Sequence, residues 1–152
     1  MALYLVQHGK ALPQEQDADR PLSEEGRARV KDMAGAAAKS GIAVRRIEHS
    51  GKTRARQTAE IMAQALGPPE GVSERPGINP NDDVAPVAVG LRSGDGLMLV
   101  GHLPFMERLT SHLIIGAPEP PVIKFQMGGI VCLDQSDEGK WHIKWALLPE
   151  IG

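Results

Sequence analysis

The sequence predicts an α/β fold with a mostly parallel sheet and helices on both faces. Three observations carry that expectation. Two short apolar runs, Ala2–Val6 and Leu97–Val100, read as buried strands of the parallel type. Each run ends beside a histidine and a glycine, at Gln7-His8-Gly9 and Gly101-His102. Between and behind them, apolar residues recur at helical spacing, and strands alternating with helices close a largely parallel sheet. The 152 residues amount to a single domain over 1–152, long enough to bury roughly 70% of the unfolded chain's surface.

The elements follow in order. After the first strand, Leu12–Pro21 is polar and acidic and reads as a loop. Ser23 can cap a helix whose first turn holds Glu24 and Glu25. Val30, Met33, Ala34 and Ala37 then mark one buried face, and Ser40-Gly41 stops the helix. Ile42–His49 reads as a strand, a poor one because of Arg45, Arg46 and Glu48. Thr53–Leu66 repeats the helical period through Ala55, Ala59, Met62 and Leu66, and Gly67-Pro68-Pro69 ends it. Val72–Asp83 is loop-like, and Val84, Val87, Ala88 and Leu91 predict a short helix. Pro104 suits a first helical turn, with Met106, Leu109 and Leu113 behind it. Ala117–Pro121 is a break. Gly129–Asp134 and Lys140–Leu148 predict a terminal hairpin around Asp137-Glu138-Gly139. The alternation of Trp141, Ile143, Trp145 and Leu147 places both tryptophans on one strand face, against a helix.

Composition narrows the function. Aromatics are only 3% of the chain, so the core is aliphatic. A formal charge of -2 gives no global attraction to nucleic acid, although a local basic pocket remains compatible with it. Cys132 is the single cysteine, which excludes an internal disulfide and any cysteine-cluster zinc site. It reads as a small core residue. No apolar run approaches the ~18 residues of a membrane span, and Met1–Val6 lacks a basic signal-peptide start. These features lead to the expectation of a cytoplasmic protein without membrane partners.

The chemistry concentrates at the strand ends. In open α/β sheets, ligands bind beyond the carboxyl ends of the strands. That rule brings His8, His102 and the segment Ser50-Gly51-Lys52-Thr53-Arg54-Ala55-Arg56-Gln57-Thr58 to one edge. A helix start with an arginine favours an anion, above all a phosphate. A neutral imidazole among cations can attack phosphorus through its free lone pair.

These segments resemble the histidine phosphatase superfamily. Leu5-Val6-Gln7-His8-Gly9-Lys10-Ala11 is similar to its first signature, where Arg-His-Gly follows the first strand. Arg20-Pro21-Leu22-Ser23 with Gly26 matches the start of its first helix. Ser50–Thr58 resembles its Ser-Pro-x-x-Arg-Ala-x-Gln-Thr segment, with Gly51 where proline is usual. Leu99-Val100-Gly101-His102-Leu103-Pro104 matches the second histidine segment. The short chain and the His-Leu-Pro sequence point to the compact SixA-type phosphohistidine phosphatases. The resemblance implies a three-layer α/β/α, phosphoglycerate mutase-like fold and a two-step phosphoryl transfer. His8 would become phosphorylated, Arg54 and His102 would hold the phosphoryl oxygens, and water would then release phosphate. His102 would serve best as a cation. No cofactor and no metal are implied. Gln7, Gly9, Lys10, Arg20, Ser50 and Leu103 would line the phosphate and substrate site, with Ser50 positioning the loop before Arg54 and Arg20 either at the rim, meeting a protein substrate, or in a structural pair with an acidic neighbour.

Gln7 departs from the family, which usually has arginine there. Glutamine keeps donors but loses the charge and the bidentate fork. Lys10 could supply the missing charge, although a solvated loop lysine is the plainer reading. Asp82 or Asp83 could act as a general acid, or could cap the helix that follows. An imidazole leaving group needs such an acid less than an alkoxide does. His49, His112 and His142 fall outside the matched segments and take surface or packing roles. The expected function is dephosphorylation of histidine in a protein domain. The alternatives are a small-molecule phosphomonoesterase, or a phosphoprotein-binding module of little or no activity because of Gln7. The oligomeric state has no signal in the sequence.

Overall fold

The computed structural model describes residues 1–150. A six-stranded sheet lies between two helical layers. Its strands are β1 (Leu3–Gln7), β2 (Arg46–His49), β3 (Val72–Glu74), β4 (Leu97–Gly101), β5 (Ile130–Gln135) and β6 (Trp141–Leu147), in the order β3-β2-β4-β1-β5-β6. The first four in that order run parallel, while β5 lies antiparallel to β1 and β6 antiparallel to β5. Helices α1 (Glu24–Lys39) and α2 (Thr53–Leu66) cover one face, and α3 (Ala85–Val89) and α4 (Phe105–Ile115) cover the other. This is the three-layer, phosphoglycerate mutase-like architecture that the sequence predicts.

The central strands are apolar on both sides because both sides are covered. Tyr4, Val6, Met98 and Val100 pack with Val30, Met33, Ala59 and Met62 beneath α1 and α2. Leu3, Leu5, Leu97 and Leu99 pack with Val87, Phe105, Met106 and Leu109 beneath α3 and α4. α1 begins as its sequence dictates, with the Ser23 hydroxyl accepting from Gly26 N–H at 2.9 Å. α2 stops at Gly67, whose left-handed φ of 57° a side chain would disfavour.

Three expectations need correction or completion. Residues Val72–Glu74, expected in a loop, form the edge strand β3, parallel to β2. Three mostly exposed residues carry too little hydrophobic pattern to signal a strand. β2 is a full interior strand despite its charges: Glu48 accepts from Arg46 at 3.2 Å and from Arg75 at 2.7 Å, while Ile47 and His49 are buried on the other side. Trp141 and Trp145 do not share a face. A bulge opposite Cys132/Leu133 adds one residue to β6 and reverses its alternation. Trp145 joins the α1–α2 side, 6.1 Å from the Tyr4 ring, and Trp141 joins the α4 side.

Candidate active site

The parallel pairing of β1 with β4 puts Gln7 opposite Gly101, so the next residue of each strand is a histidine. His8 N–H donates to Gly101 C=O at 3.0 Å, which pins the two strand ends together. The two imidazoles lie 5.0 Å apart, centre to centre. Arg54 enters from the first turn of α2, and its charge bears on both rings. The Lys52 side chain makes no capping bond to that turn.

Local bonds set the state of His8. Its Nδ1 lies 2.7 Å from Gly9 C=O. A carbonyl only accepts, so Nδ1 carries the proton and Nε2 keeps its lone pair. Burial, with Arg54 and Arg20 adding to it, lowers the His8 pKa from 6.5 to about 4. Burial, His8 and the nearby cations lower His102 further, to about 3. The ring expected to work as a cation is therefore neutral in the free protein at pH 7. His102 Nε2 is 2.6 Å from the Ser50 hydroxyl, which also accepts from Lys52 N–H at 3.3 Å.

Three buried side-chain atoms lack a hydrogen-bond partner among the described residues: Gln7 Oε1, Arg54 Nε and His102 Nδ1. All three belong to the residues that the sequence singles out. An unpaired buried polar group costs roughly 1–3 kcal/mol, and folded proteins hold few of them. Their convergence at one edge marks a place prepared for a polar guest.

Other expected site residues have different surroundings. Gly9 does not offer its amide to a ligand, because Gly9 N–H donates to Thr58 Oγ1 at 3.0 Å. A Cβ there would meet Val30 at 2.6 Å, so glycine is required by packing. Lys10 pairs with Glu25 at 2.9 Å, and both side chains are more than half exposed. Arg20 has a φ of 48°, a left-handed backbone that costs a non-glycine residue roughly 1–2 kcal/mol. Its charge bears on His8, Arg54 and His102. Leu103 and Gln7 form a wall of a hollow of about 460 Å³, together with Lys10, Glu25, Phe125 and Gln126. The Asp82 and Asp83 carboxylates accept from Asn79 N–H at 2.8 Å and Ala85 N–H at 3.1 Å, so both serve their own loop. Burial raises the Cys132 thiol to about 11, as befits a core residue.

Two structural residues escaped the sequence reading. Thr58 accepts from Gly9 N–H and donates to Arg54 C=O at 2.8 Å, linking the His8 loop to the Arg54 helix. Gln57 Oε1 accepts from Leu22 N–H at 2.8 Å and ties the loop after Arg20 to the same helix. Both stand in the Gln-Thr pair of the matched segment, which was the available signal. Gly51, in the usual proline position, has a φ of 92° that proline cannot adopt, and a Cβ there would meet the Glu74 carboxylate at 2.7 Å.

The sequence pattern of the histidine phosphatase superfamily (branch 1) matches residues 3–79. The chain belongs to that superfamily. This histidine phosphatase is 28% identical over 155 residues to the phosphohistidine phosphatase SixA of Escherichia coli (strain K12), covering 98% of the chain and 94% of SixA. It is 36% identical to an uncharacterised protein of Picosynechococcus sp., over 125 residues covering 76% of the chain and 74% of that protein. A structure of the protein histidine phosphatase SixA complexed with tungstate superposes with a TM-score of 0.83 at 26% identity, covering 98% and 97% of the two chains. The chain is thus a phosphatase. No helix of the described residues is long and apolar enough to cross a membrane.

Proposed function

We propose that this phosphatase removes phosphate from phosphohistidine in a protein, through a covalent intermediate on His8. The observation that carries the reading is the set of unpartnered polar atoms beside a neutral His8 with a free Nε2. Nε2 attacks phosphorus, the P–N bond to the substrate imidazole breaks, and its electron pair stays on the departing nitrogen. Arg54 donates through its guanidinium to the non-bridging oxygens as charge builds on them. His102 is neutral at rest and gains proton affinity as the phosphoryl dianion arrives beside it. Water then attacks the phosphoryl group on His8, releasing phosphate and restoring the lone pair.

Two features favour a P–N substrate over a phosphate ester. Asp82 and Asp83 are committed to their own loop, which leaves neither poised to protonate an alkoxide. A hollow of about 460 Å³ lined by Gln7 and Leu103, the chain neighbours of His8 and His102, leaves room for a substrate side chain. The SixA relative is named for the same substrate chemistry. A cytoplasmic setting and a phosphohistidine-containing partner domain belong to this proposal.

The test is turnover of a phosphohistidine protein and of an aryl phosphate by the natural chain and by His8→Ala. The natural chain should prefer the phosphohistidine protein and retain labelled phosphate on His8 after an acid-free quench. His8→Ala should lose at least about a thousandfold in turnover and all labelling. Full turnover in His8→Ala would overturn the covalent route, and a strong preference for the aryl phosphate would select the phosphomonoesterase reading.

A further inference from the structure

We propose that His49 is a positioning residue for the phosphoryl transfer: by accepting from Gly51 N–H it holds the turn that carries Ser50, and through Ser50 it orients His102. The proposal rests on the phosphoryl-transfer reading above and adds to it a side chain that the sequence leaves with a surface or packing role. His49 is 6% exposed, and its Nδ1 accepts from Gly51 N–H at 3.0 Å. A backbone N–H only donates, so Nδ1 carries no proton and the neutral ring holds its proton on Nε2. This is the reverse of His8, whose Nδ1 faces a carbonyl. Burial lowers the His49 pKa from 6.5, with Arg56 adding to it and Glu74 and Glu60 opposing it, so the ring is neutral at pH 7.

The bond closes a turn that has little stiffness of its own. His49 is the last residue of β2, held between Val100 of β4 and Glu74 of β3. Lys52, three residues on, already stands at the cap position of α2. Gly51 crosses the gap with a φ of 92°, so near Glu74 that a Cβ would meet its carboxylate at 2.7 Å. Glycine permits that shape but does not enforce it, because its backbone is the freest of all residues. Proline, usual at this position, would be stiff but has no N–H to give. Gly51 has one, and His49 accepts it. Ser50 is thereby fixed in place, with its hydroxyl 2.6 Å from His102 Nε2 and accepting from Lys52 N–H at 3.3 Å. His102 is 1% exposed and its Nδ1 has no partner among the described residues, so the Ser50 contact is what sets the angle of its ring. A loose turn would let that ring rotate away from the phosphoryl oxygens.

Nitrogen NMR and kinetics test the proposal together. In the natural chain at pH 7, a nitrogen–nitrogen coupling should be seen across the Gly51 N–H to His49 Nδ1 bond. Its absence would overturn the proposal without any substitution. His49→Leu removes the acceptor and keeps a buried side chain. His49→Asn restores the acceptor, because asparagine accepts from the backbone N–H two residues on. His49→Leu should slow phosphorylation of His8 at least about tenfold at saturating phosphohistidine protein, and should shift the His102 Nε2 resonance. His49→Asn should recover most of the rate and return that resonance toward its natural position. Equal losses in the two variants would leave His49 a packing residue and overturn the proposal, as would an unchanged rate in His49→Leu. The resonance is read without substrate. If it follows the acceptor at position 49 while His8 of the natural chain takes up no phosphate, His49 still orients His102 and the phosphoryl-transfer reading falls instead.

Discussion

The floor and the rim of the site are built in different ways. The floor consists of the ends of β1 and β4 and the first turns of α2, where His8 N–H donates to Gly101 C=O and Gly9 N–H to Thr58, each at 3.0 Å. The rim consists of residues 10–25, where Lys10 meets Glu25 as a half-exposed ion pair and Arg20 hangs on a loop. The floor holds the two imidazoles at a fixed spacing, because its parts cannot move without breaking the bonds of His8 and Gly9. The rim divides its work: Leu22 is buried and Ser23 caps α1, while the Lys10 side chain is more than half exposed. Gln7 itself belongs to the floor, as the last residue of β1, and its main chain keeps the pairing with Gly101 whatever its side chain.

The sharpest contrast is the protonation of the floor. His8 should titrate near 4 and not near 6.5, with Nδ1 as the protonated nitrogen of the neutral ring. Nitrogen-detected NMR of labelled imidazoles in the ligand-free protein reads both. The sign for stability follows from linkage. The unfolded chain takes up the proton at about 6.5, while the folded chain takes it up only near 4 for His8 and near 3 for His102. Stability from this source is complete above pH 6.5, falls as pH drops through that window, and levels off below about 3. Denaturant melts between pH 7 and 4 should show that fall, and His8→Ala should make it shallower. A His8 midpoint near 6.5 would mean that the floor is as wet as the rim.

The seam between the regions gives the next effect. Thr58→Val keeps the shape of the side chain but removes the acceptor for Gly9 N–H and the donor to Arg54 C=O. A buried amide left unpaired costs roughly 1–3 kcal/mol, so the melting midpoint should fall accordingly. Phosphorylation of His8 should slow as well, because the Thr58 hydroxyl spans the His8 loop and the Arg54 helix. A loss of stability with unchanged phosphorylation would show that the floor keeps its spacing without this link.

How much of this was readable in advance follows the same division. The strand runs Ala2–Val6 and Leu97–Val100 announce themselves because burial on both faces demands continuous apolar residues. Register then makes the convergence of His8 and His102 a consequence of pairing β1 with β4. The helices were legible from their period. β3 was not, since an exposed edge of three residues needs no pattern. The opposed tryptophans were not legible either, since one bulge residue reverses a strand's alternation without any mark in the composition. The neutral state of His102 depends on burial and on cations from two segments, the Arg20 loop and the start of α2, and neither can be summed from the chain order. The same holds for Arg20, whose left-handed φ appears only in three dimensions.

The smallest effect belongs to Lys10, and it is the one that separates the two regions most cleanly. Lys10 stands two positions after His8, so the sequence offers it as a substitute for the missing arginine. Its ammonium instead reaches Glu25 at 2.9 Å, with side-chain exposures of 53% and 63%. An ion pair that exposed adds little, since water screens it and two long side chains must be ordered to form it. Its backbone carries the local structure: Lys10 C=O accepts from Ser23 N–H at 3.0 Å, and a Cβ on Gly26 would approach that oxygen to 2.0 Å. Replacing the side chain leaves those contacts untouched. Lys10→Ala should therefore change phosphorylation of His8 by less than about twofold and leave the denaturant midpoint unmoved, read by quench kinetics and denaturant melts. A tenfold loss would place Lys10 among the residues that meet the phosphoryl group, because only a side chain that leaves Glu25 could produce it.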